Sequence, residues 1–224
     1  MSDKSLLQSS WPSSNIYQNL SSRPITDRIA RFYAARRAVS LGSFQLTAGG
    51  TTDYYIDGRL VTTHPPALDY ISSLMARVID ESGLRTKANK IVVPVLSGVT
   101  LGVALALKTG LDLVMDRGIR KEHGMARRFE GLLAKGDKAI VIDDLLTTGM
   151  TLLQTIEGLE NEAVVCLGCI VLVDREEGGT QALVGKKVPL LTLIRGRELV
   201  EYVKAFPGRN DSKIHKGERR VGQL

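Results

Sequence analysis

The chain has only two cysteines, Cys166 and Cys169, and a single tryptophan, Trp11. Two cysteines in 224 residues cannot make the dense disulfide framework of a small secreted scaffold. Aromatic residues make up 5% and nowhere alternate with basic ones, which argues against a base-stacking platform for nucleic acid. No apolar run is long enough to cross a bilayer. The best candidate, residues 91–107, is broken by Pro94, Ser97, Gly98, Thr100 and Gly102. The opening MSDKSLLQSSWPSS has no basic region followed by an apolar stretch, so no secretory signal is expected and the cytoplasm is the expected compartment. Also missing are the G-x-x-x-x-G-K-[ST] phosphate loop and the G-x-G-x-x-G dinucleotide fingerprint.

What remains describes a globular chain. Hydrophobic residues make up 43%, enough for a sizeable core, and the length suits one domain with modest additions. The formal net charge of +6 favours anionic partners, and the scarcity of aromatics favours a small anionic ligand over nucleic acid. Residues 1–22 are serine-rich and read as a flexible arm. Residues 25–39 carry apolar positions at helical spacing, and short strands are expected over 44–47 and 54–57 around a glycine turn. Pro65 and Pro66 suit a helix start, with an end near Gly83. Apolar runs over 91–95, 111–115, 139–142, 164–173 and 190–194 read as strands, with helices over 101–107 and 150–159 between them. Continuous apolar strands separated by helices predict an α/β fold with a largely parallel central sheet covered on both faces. From about residue 207 the chain is polar and basic and reads as a solvated tail.

The strongest local signal is AIVIDDLLTTGMTL over residues 139–152. An apolar strand delivers two carboxylates, Asp143 and Asp144, into a Thr/Gly turn followed by a helix. Backbone N–H groups in such a turn, with the free N–H groups of a helix start, can hold a phosphate. Thr147 and Thr148 add hydroxyls, and Gly149 permits close backbone approach. The carboxylates stand where ribose hydroxyls can donate to them, so the segment suits a sugar phosphate. It also fits an ordinary strand end of an α/β protein. A second turn, PVLSGVTL over 94–101, exposes Ser97 and Gly98 and suits either a diphosphate or a plain strand–helix connection. The third segment, residues 115–131, gathers Arg117, Arg120, Lys121, Arg127 and Arg128 around His123, with glycines at 118, 124 and 131. It has no clean period and reads as a basic loop, either closing over an anionic leaving group or simply solvated.

These residues resemble a known family. DDLLTTGM (143–150) looks like the phosphoribosyl-diphosphate motif of type I phosphoribosyltransferases. FQLTAGGTTDYYIDGR (44–59), the IRKEHG…FEG loop (119–131) and VDREEGG (173–179) narrow the resemblance to orotate phosphoribosyltransferases. The resemblance implies a type I phosphoribosyltransferase-like fold over 23–206, with a small N-terminal hood on the base side. The implied reaction is Mg²⁺-dependent transfer of a phosphoribosyl group from 5-phosphoribosyl 1-diphosphate to orotate. Asp143 and Asp144 then engage the ribose hydroxyls, and Leu145, Leu146, Thr147, Thr148, Gly149, Met150 and Thr151 surround the 5′-phosphate. Ser97 and Gly98 lie beside the diphosphate, which Arg120, Lys121 and His123 approach from the loop. Tyr54 and Tyr55 flank the base, and Arg175 holds the orotate. Mg²⁺ is expected mainly through substrate oxygens and water rather than a protein cage. A homodimer is implied, the basic loop of each subunit reaching the neighbouring site.

The sequence departs from that pattern in two places. Glu122 is followed directly by His123, so the loop is about three residues short, equivalent to about 10 Å of extended chain. A basic residue after the glycine of the F-x-L-x-x-G segment is also missing. Arg127 and Arg128 are the candidates to replace the lost charge. Lower turnover or altered loop closure is expected, and two other readings stay open: transfer to a different base, and a non-catalytic regulatory or RNA-binding role. The C-L-G-C pair is expected to be core, its two side chains on opposite strand faces. Asp57 and Arg59 fit either a base-side element or a simple salt bridge.

Overall fold

β-branched runs alternate with amphipathic segments along the chain, and the computed structural model forms strands from the first and helices from the second. It describes residues 17–20, 22–45, 50–118 and 127–206. In chain order these form β1 (Tyr17–Asn19), α1 (Arg23–Ala35), β2 (Val39–Gln45), β3 (Thr51–Ile56), α2 (Arg59–Thr62) and α3 (Pro65–Glu81). There follow β4 (Lys90–Pro94), α4 (Val99–Thr109), β5 (Asp112–Asp116), β6 (Phe129–Glu130) and β7 (Lys138–Leu146). The chain continues through α5 (Met150–Asn161), β8 (Val165–Asp174), α6 (Gly179–Gly185), β9 (Leu190–Arg195) and α7 (Gly196–Ala205).

The central sheet runs β1-β9-β8-β7-β4-β5-β6. Every neighbouring pair is parallel except β5 with β6. β2 and β3 form a separate antiparallel hairpin. Side-chain alternation splits the core between the two sheet faces. Ile91, Val93, Ile140 and Ile142 face α1, α3, α4 and α7, whereas Val92, Ala139, Val141 and Val171 face α5 and α6. The strands therefore read as unbroken apolar runs. From β4 the chain builds outward to β5, then returns to the other side of β4 to form β7. The crevice at the carboxyl ends of β4 and β7 is thus a topological switch point, where open α/β sheets bind ligands.

Several sequence expectations change. Residues 17–19 are not part of a loose arm: they add an edge strand to β9, with Tyr17 opposite Leu190. The helix expected over 25–39 ends at Ala35, because Arg37 turns with φ +54° and Val39 enters the hairpin against Ile56. β7 does not stop at Ile142. Pairing with β8 continues through Asp143, Leu145 and Leu146, so the two carboxylates lie inside the strand. α6 and α7 were not foreseen. Cys166 and Cys169 do not face opposite ways either. The register slips so that Ala139 pairs with Cys166 but Ile140 with Gly168. This bulge at Leu167 returns both thiols to the α5 face, where Cys166 Sγ donates to the Gly168 carbonyl at 3.7 Å. No described helix is long and apolar enough to cross a membrane. The basic tail from residue 207 and the arm before residue 17 lie outside the described residues.

Candidate active site

β7 carries Asp143 and Asp144 to the switch point, where they are 3% and 4% exposed. Asp143 Oδ1 accepts hydrogen bonds from Ser97 Oγ at 2.7 Å and from the Asp144 amide at 2.9 Å. The Ser97 bond ties the turn after β4 to the end of β7. Gly98 begins α4 where a β-carbon would stand 2.8 Å from the Ile142 carbonyl, so only glycine fits without a shift. The Val95–Leu96 peptide bond is cis.

Burial raises the pKa of Asp143 to about 6, against the lowering effect of the Ser97 and Asp144 hydrogen bonds. Asp144 rises further, to about 8, through burial and then the neighbouring charge of Asp143. Arg59 pulls it partly back. The pair is thus a reservoir of held-back negative charge, ready to accept hydrogen bonds from a ligand that compensates the burial. Tyr33 lies below it, fully buried, its hydroxyl without a hydrogen-bond partner and its pKa raised well above normal by burial and by Asp144 and Asp57.

The turn over residues 147–149 follows directly. Gly149 has φ +82°, which a side chain would resist, and α5 starts immediately after it. This turn and the first turn of α5 point backbone N–H groups outward as an anion site. The residues on either side of the turn lie in regular elements. Leu145 and Leu146 belong to β7, and the Leu146 side chain is buried in the core, so it offers a ligand no side-chain contact. Met150 and Thr151 are the first, exposed residues of α5. The buttress behind the turn was not recognised as such in the sequence. The Gly179 amide donates to the Thr147 carbonyl at 2.8 Å, and a β-carbon at Gly179 would approach that oxygen to 2.5 Å. VDREEGG therefore supports the phosphate turn as well as carrying Arg175.

Arg175 stands at the end of β8, 6% exposed, its amide held by the Leu146 carbonyl at 2.9 Å. The Tyr54 hydroxyl donates to the Arg175 carbonyl at 3.3 Å, and the guanidinium carbon lies 5.3 Å from the Tyr54 ring centre. Neither Nε nor Nη2 of Arg175 has a hydrogen-bond partner. Glu177 reaches ion-pair distance of Nη2, but outside hydrogen-bond geometry. Tyr55 is not brought beside Tyr54. It points to the other side of β3 and packs on Phe44, ring centres 5.8 Å apart. Asp57 and Arg59 make a salt bridge at 3.1 Å on the rim. Gly58 between them was missed. A β-carbon there would lie 2.6 Å from Asp144 Oδ2, so the start of α2 presses directly on the carboxylate pair.

Arg120, Lys121 and His123 lie outside the described residues. The stems of their loop are described. Arg128 does not offer free charge for the missing loop residue. Its guanidinium forks onto Asp116 at 2.7 and 2.8 Å and donates to the Gln154 carbonyl at 2.7 Å. Asp116, 2% exposed, also accepts from the Gly118 amide and Thr155 Oγ1. Burial alone would raise its pKa, but these bonds outweigh it and hold the carboxyl below the usual range. Arg128 thus links both loop stems to α5. Arg127 is exposed. Among the described residues no three His, Cys, Asp or Glu side chains cluster to hold a metal. A carboxylate pair beside an anion turn suits a Mg²⁺ that binds chiefly through phosphate oxygens and water.

A strand-end acidic pair, a glycine anion turn and a switch-point crevice define a phosphoribosyltransferase site, and comparison with known proteins agrees. The phosphoribosyl transferase domain family matches residues 60–187. An orotate phosphoribosyltransferase of Halobacterium salinarum is 33% identical over 79% of this chain and 97% of its own. One from Thermococcus kodakarensis is 36% identical over 77% and 92% respectively. The crystal structure of orotate phosphoribosyltransferase from Aeropyrum pernix superposes with a TM-score of 0.69 at 25% identity, covering 79% of this chain and 99% of that one. The chain belongs to the orotate phosphoribosyltransferase family.

Proposed function

We propose that the protein transfers the phosphoribosyl group of 5-phosphoribosyl 1-diphosphate to orotate, giving orotidine 5′-monophosphate and diphosphate for pyrimidine nucleotide synthesis. The observation that carries this reading is the carboxylate-binding edge of Arg175, which makes no hydrogen bond, at the end of the strand next to the one that carries the buried Asp143–Asp144 pair. One element suits a base bearing a carboxylate and the other suits a ribose.

In this reading the 147–149 turn and the start of α5 bind the 5′-phosphate. Asp143 and Asp144 accept hydrogen bonds from the ribose hydroxyls, which fixes the ring and favours positive charge at the anomeric carbon. Ser97 orients Asp143, and the Ser97–Gly98 turn faces the diphosphate. Arg175 forks onto the orotate carboxylate with Tyr54 against its guanidinium. The orotate ring nitrogen then forms its bond to the anomeric carbon as the bond to diphosphate oxygen breaks, and the proton of that ring N–H passes to diphosphate or water. No side chain becomes a covalent nucleophile. Mg²⁺ would be held by Asp143 and Asp144 together with substrate oxygens and water, and when bound it offsets charge on the diphosphate. Arg120, Lys121 and His123 complete the diphosphate side, from the neighbouring subunit of a homodimer in the cytoplasm.

The test mixes the full chain with 5-phosphoribosyl 1-diphosphate, Mg²⁺ and orotate and measures orotidine 5′-monophosphate by mass-resolved chromatography. Product that requires both substrates supports the reading. No product from folded protein that binds the diphosphate substrate would refute it, and a panel of other bases would then identify the acceptor. Size-exclusion chromatography with light scattering tests the homodimer.

A further inference from the structure

We infer that Glu177 is an internal counter-ion for Arg175 that the substrate carboxylate displaces, which makes Glu177 a specificity-determining residue for the acceptor base. The inference rests on the orotate reading above and asks how the same arginine is occupied before substrate arrives.

The Nε and Nη2 atoms of Arg175 form the edge of a guanidinium that takes a carboxylate through two parallel bonds. Both atoms are buried and both lack a hydrogen bond. Glu177 comes nearest to this edge with Oε1 at Nη2, and the contact lacks hydrogen-bond geometry at both Nη2 and Nε. Its side chain is 21% exposed against 5% for Arg175, so it reaches the arginine from the solvent side. A buried cation needs a counter-charge, and Glu177 supplies one that is weaker than a two-bond fork.

The surroundings are built independently of this contact. Asp174 sets the 174–178 turn, accepting from the Glu176 amide at 2.8 Å and from Thr180 Oγ1 at 2.7 Å. Glu176 pairs with Arg197 at 3.5 Å. The Arg175 backbone is held by the Leu146 carbonyl and the Tyr54 hydroxyl. The Glu177 carboxylate can therefore leave while turn and guanidinium keep their places. A carboxylated pyrimidine replaces the poor contact with a full fork. A neutral pyrimidine would have to dislodge Glu177 and leave Arg175 uncompensated, so the pair discriminates against bases without a carboxylate.

The experiment is calorimetric titration of the full-length wild type, Glu177→Gln and Glu177→Ala with orotate and with uracil, alongside steady-state kinetics. Both variants remove the competing anion, and orotate affinity should rise about 3- to 10-fold, with a matching fall in its KM. Uracil should gain in the same direction, narrowing the preference for orotate over uracil. The KM for 5-phosphoribosyl 1-diphosphate should stay within about twofold, a split that general loosening of the fold would not produce. Melting temperatures establish that each variant is folded, and the alanine variant guards against a glutamine that re-forms a hydrogen bond. Unchanged or weakened orotate binding in folded variants, with wild type binding normally, overturns the inference and leaves the orotate reading standing. Wild type that neither binds nor converts orotate overturns that reading, and the inference with it.

Discussion

Replacing Asp144 by Asn should make the protein more stable and less active, and the gain in stability should depend on pH in a defined direction. Asp144 is 4% exposed, and burial followed by the charge of Asp143 raises its pKa to about 8. The unfolded value is about 3.9. A carboxyl raised on folding contributes no penalty below the unfolded value, since it is protonated in both states. The penalty grows as pH climbs from about 4 and is complete once pH passes the folded value. Each unit of separation corresponds to about 1.4 kcal/mol. Hydration of the open crevice and the unmet hydrogen bonds of the new amide reduce the sum. A net gain on the order of 1–3 kcal/mol remains for Asp144→Asn above pH 8. Urea unfolding of ligand-free protein at pH 5 and pH 8.5 measures it. The midpoint should shift upward more at pH 8.5, with the slope unchanged. Losing one charged acceptor for a ribose hydroxyl should lower turnover about 10- to 100-fold. A stability change that is flat with pH, or a loss at pH 8.5, would show that Asp144 is not held against its charge and would refute the electrostatic account of the site.

Binding of 5-phosphoribosyl 1-diphosphate should release protons near neutral pH, because Asp143 and Asp144, raised to about 6 and about 8, must ionise to accept its hydroxyls. Calorimetry in two buffers of different ionisation enthalpy reads the release directly, and affinity should fall as pH drops. Arg128→Ala leaves the Asp116 carboxylate buried and unpaired, for a loss of about 3–5 kcal/mol in thermal or urea unfolding. Part of that loss should return below about pH 4, where Asp116 can take a proton. Gly58→Ala places a β-carbon where only 2.6 Å separates it from Asp144 Oδ2. Turnover should fall at least about tenfold while the melting temperature changes little, since Gly58 already has right-handed helical dihedrals that alanine tolerates.

Local patterns located much of the fold. Ile91, Val92 and Val93 announce a buried strand because both faces of a parallel strand are covered. Pro65 and Pro66 announce α3 because the N–H that proline lacks would have no intrahelical partner in a first helical turn anyway. The acidic pair joined to Thr147, Thr148 and Gly149 was legible for the same reason, since one strand end and one helix start supply the whole anion site. Register was not legible. The bulge at Leu167 exists because β8 pairs with β7 and slips by one residue after Cys166, and that slip reverses which face Cys169 takes. Tyr17, Gln18 and Asn19 have no strand signature of their own and pair because β9 leaves an edge open to them.

The basic loop shows most clearly where sequence reasoning about charge stops. In a string of letters Arg127 and Arg128 are equivalent cations next to a diphosphate site. The fold separates them through Asp116, which pairs antiparallel with Phe129 as β5 meets β6. That pairing brings Arg128 and Asp116 together, and Gly158 on α5 leaves just enough room for the guanidinium, where a β-carbon would stand 2.5 Å from its central carbon. A positive charge neutralised by a buried carboxylate projects little field toward a ligand. The charge missing from the short loop is therefore not restored by Arg128. Of the two arginines beside Phe129, only the exposed Arg127 is left to restore it.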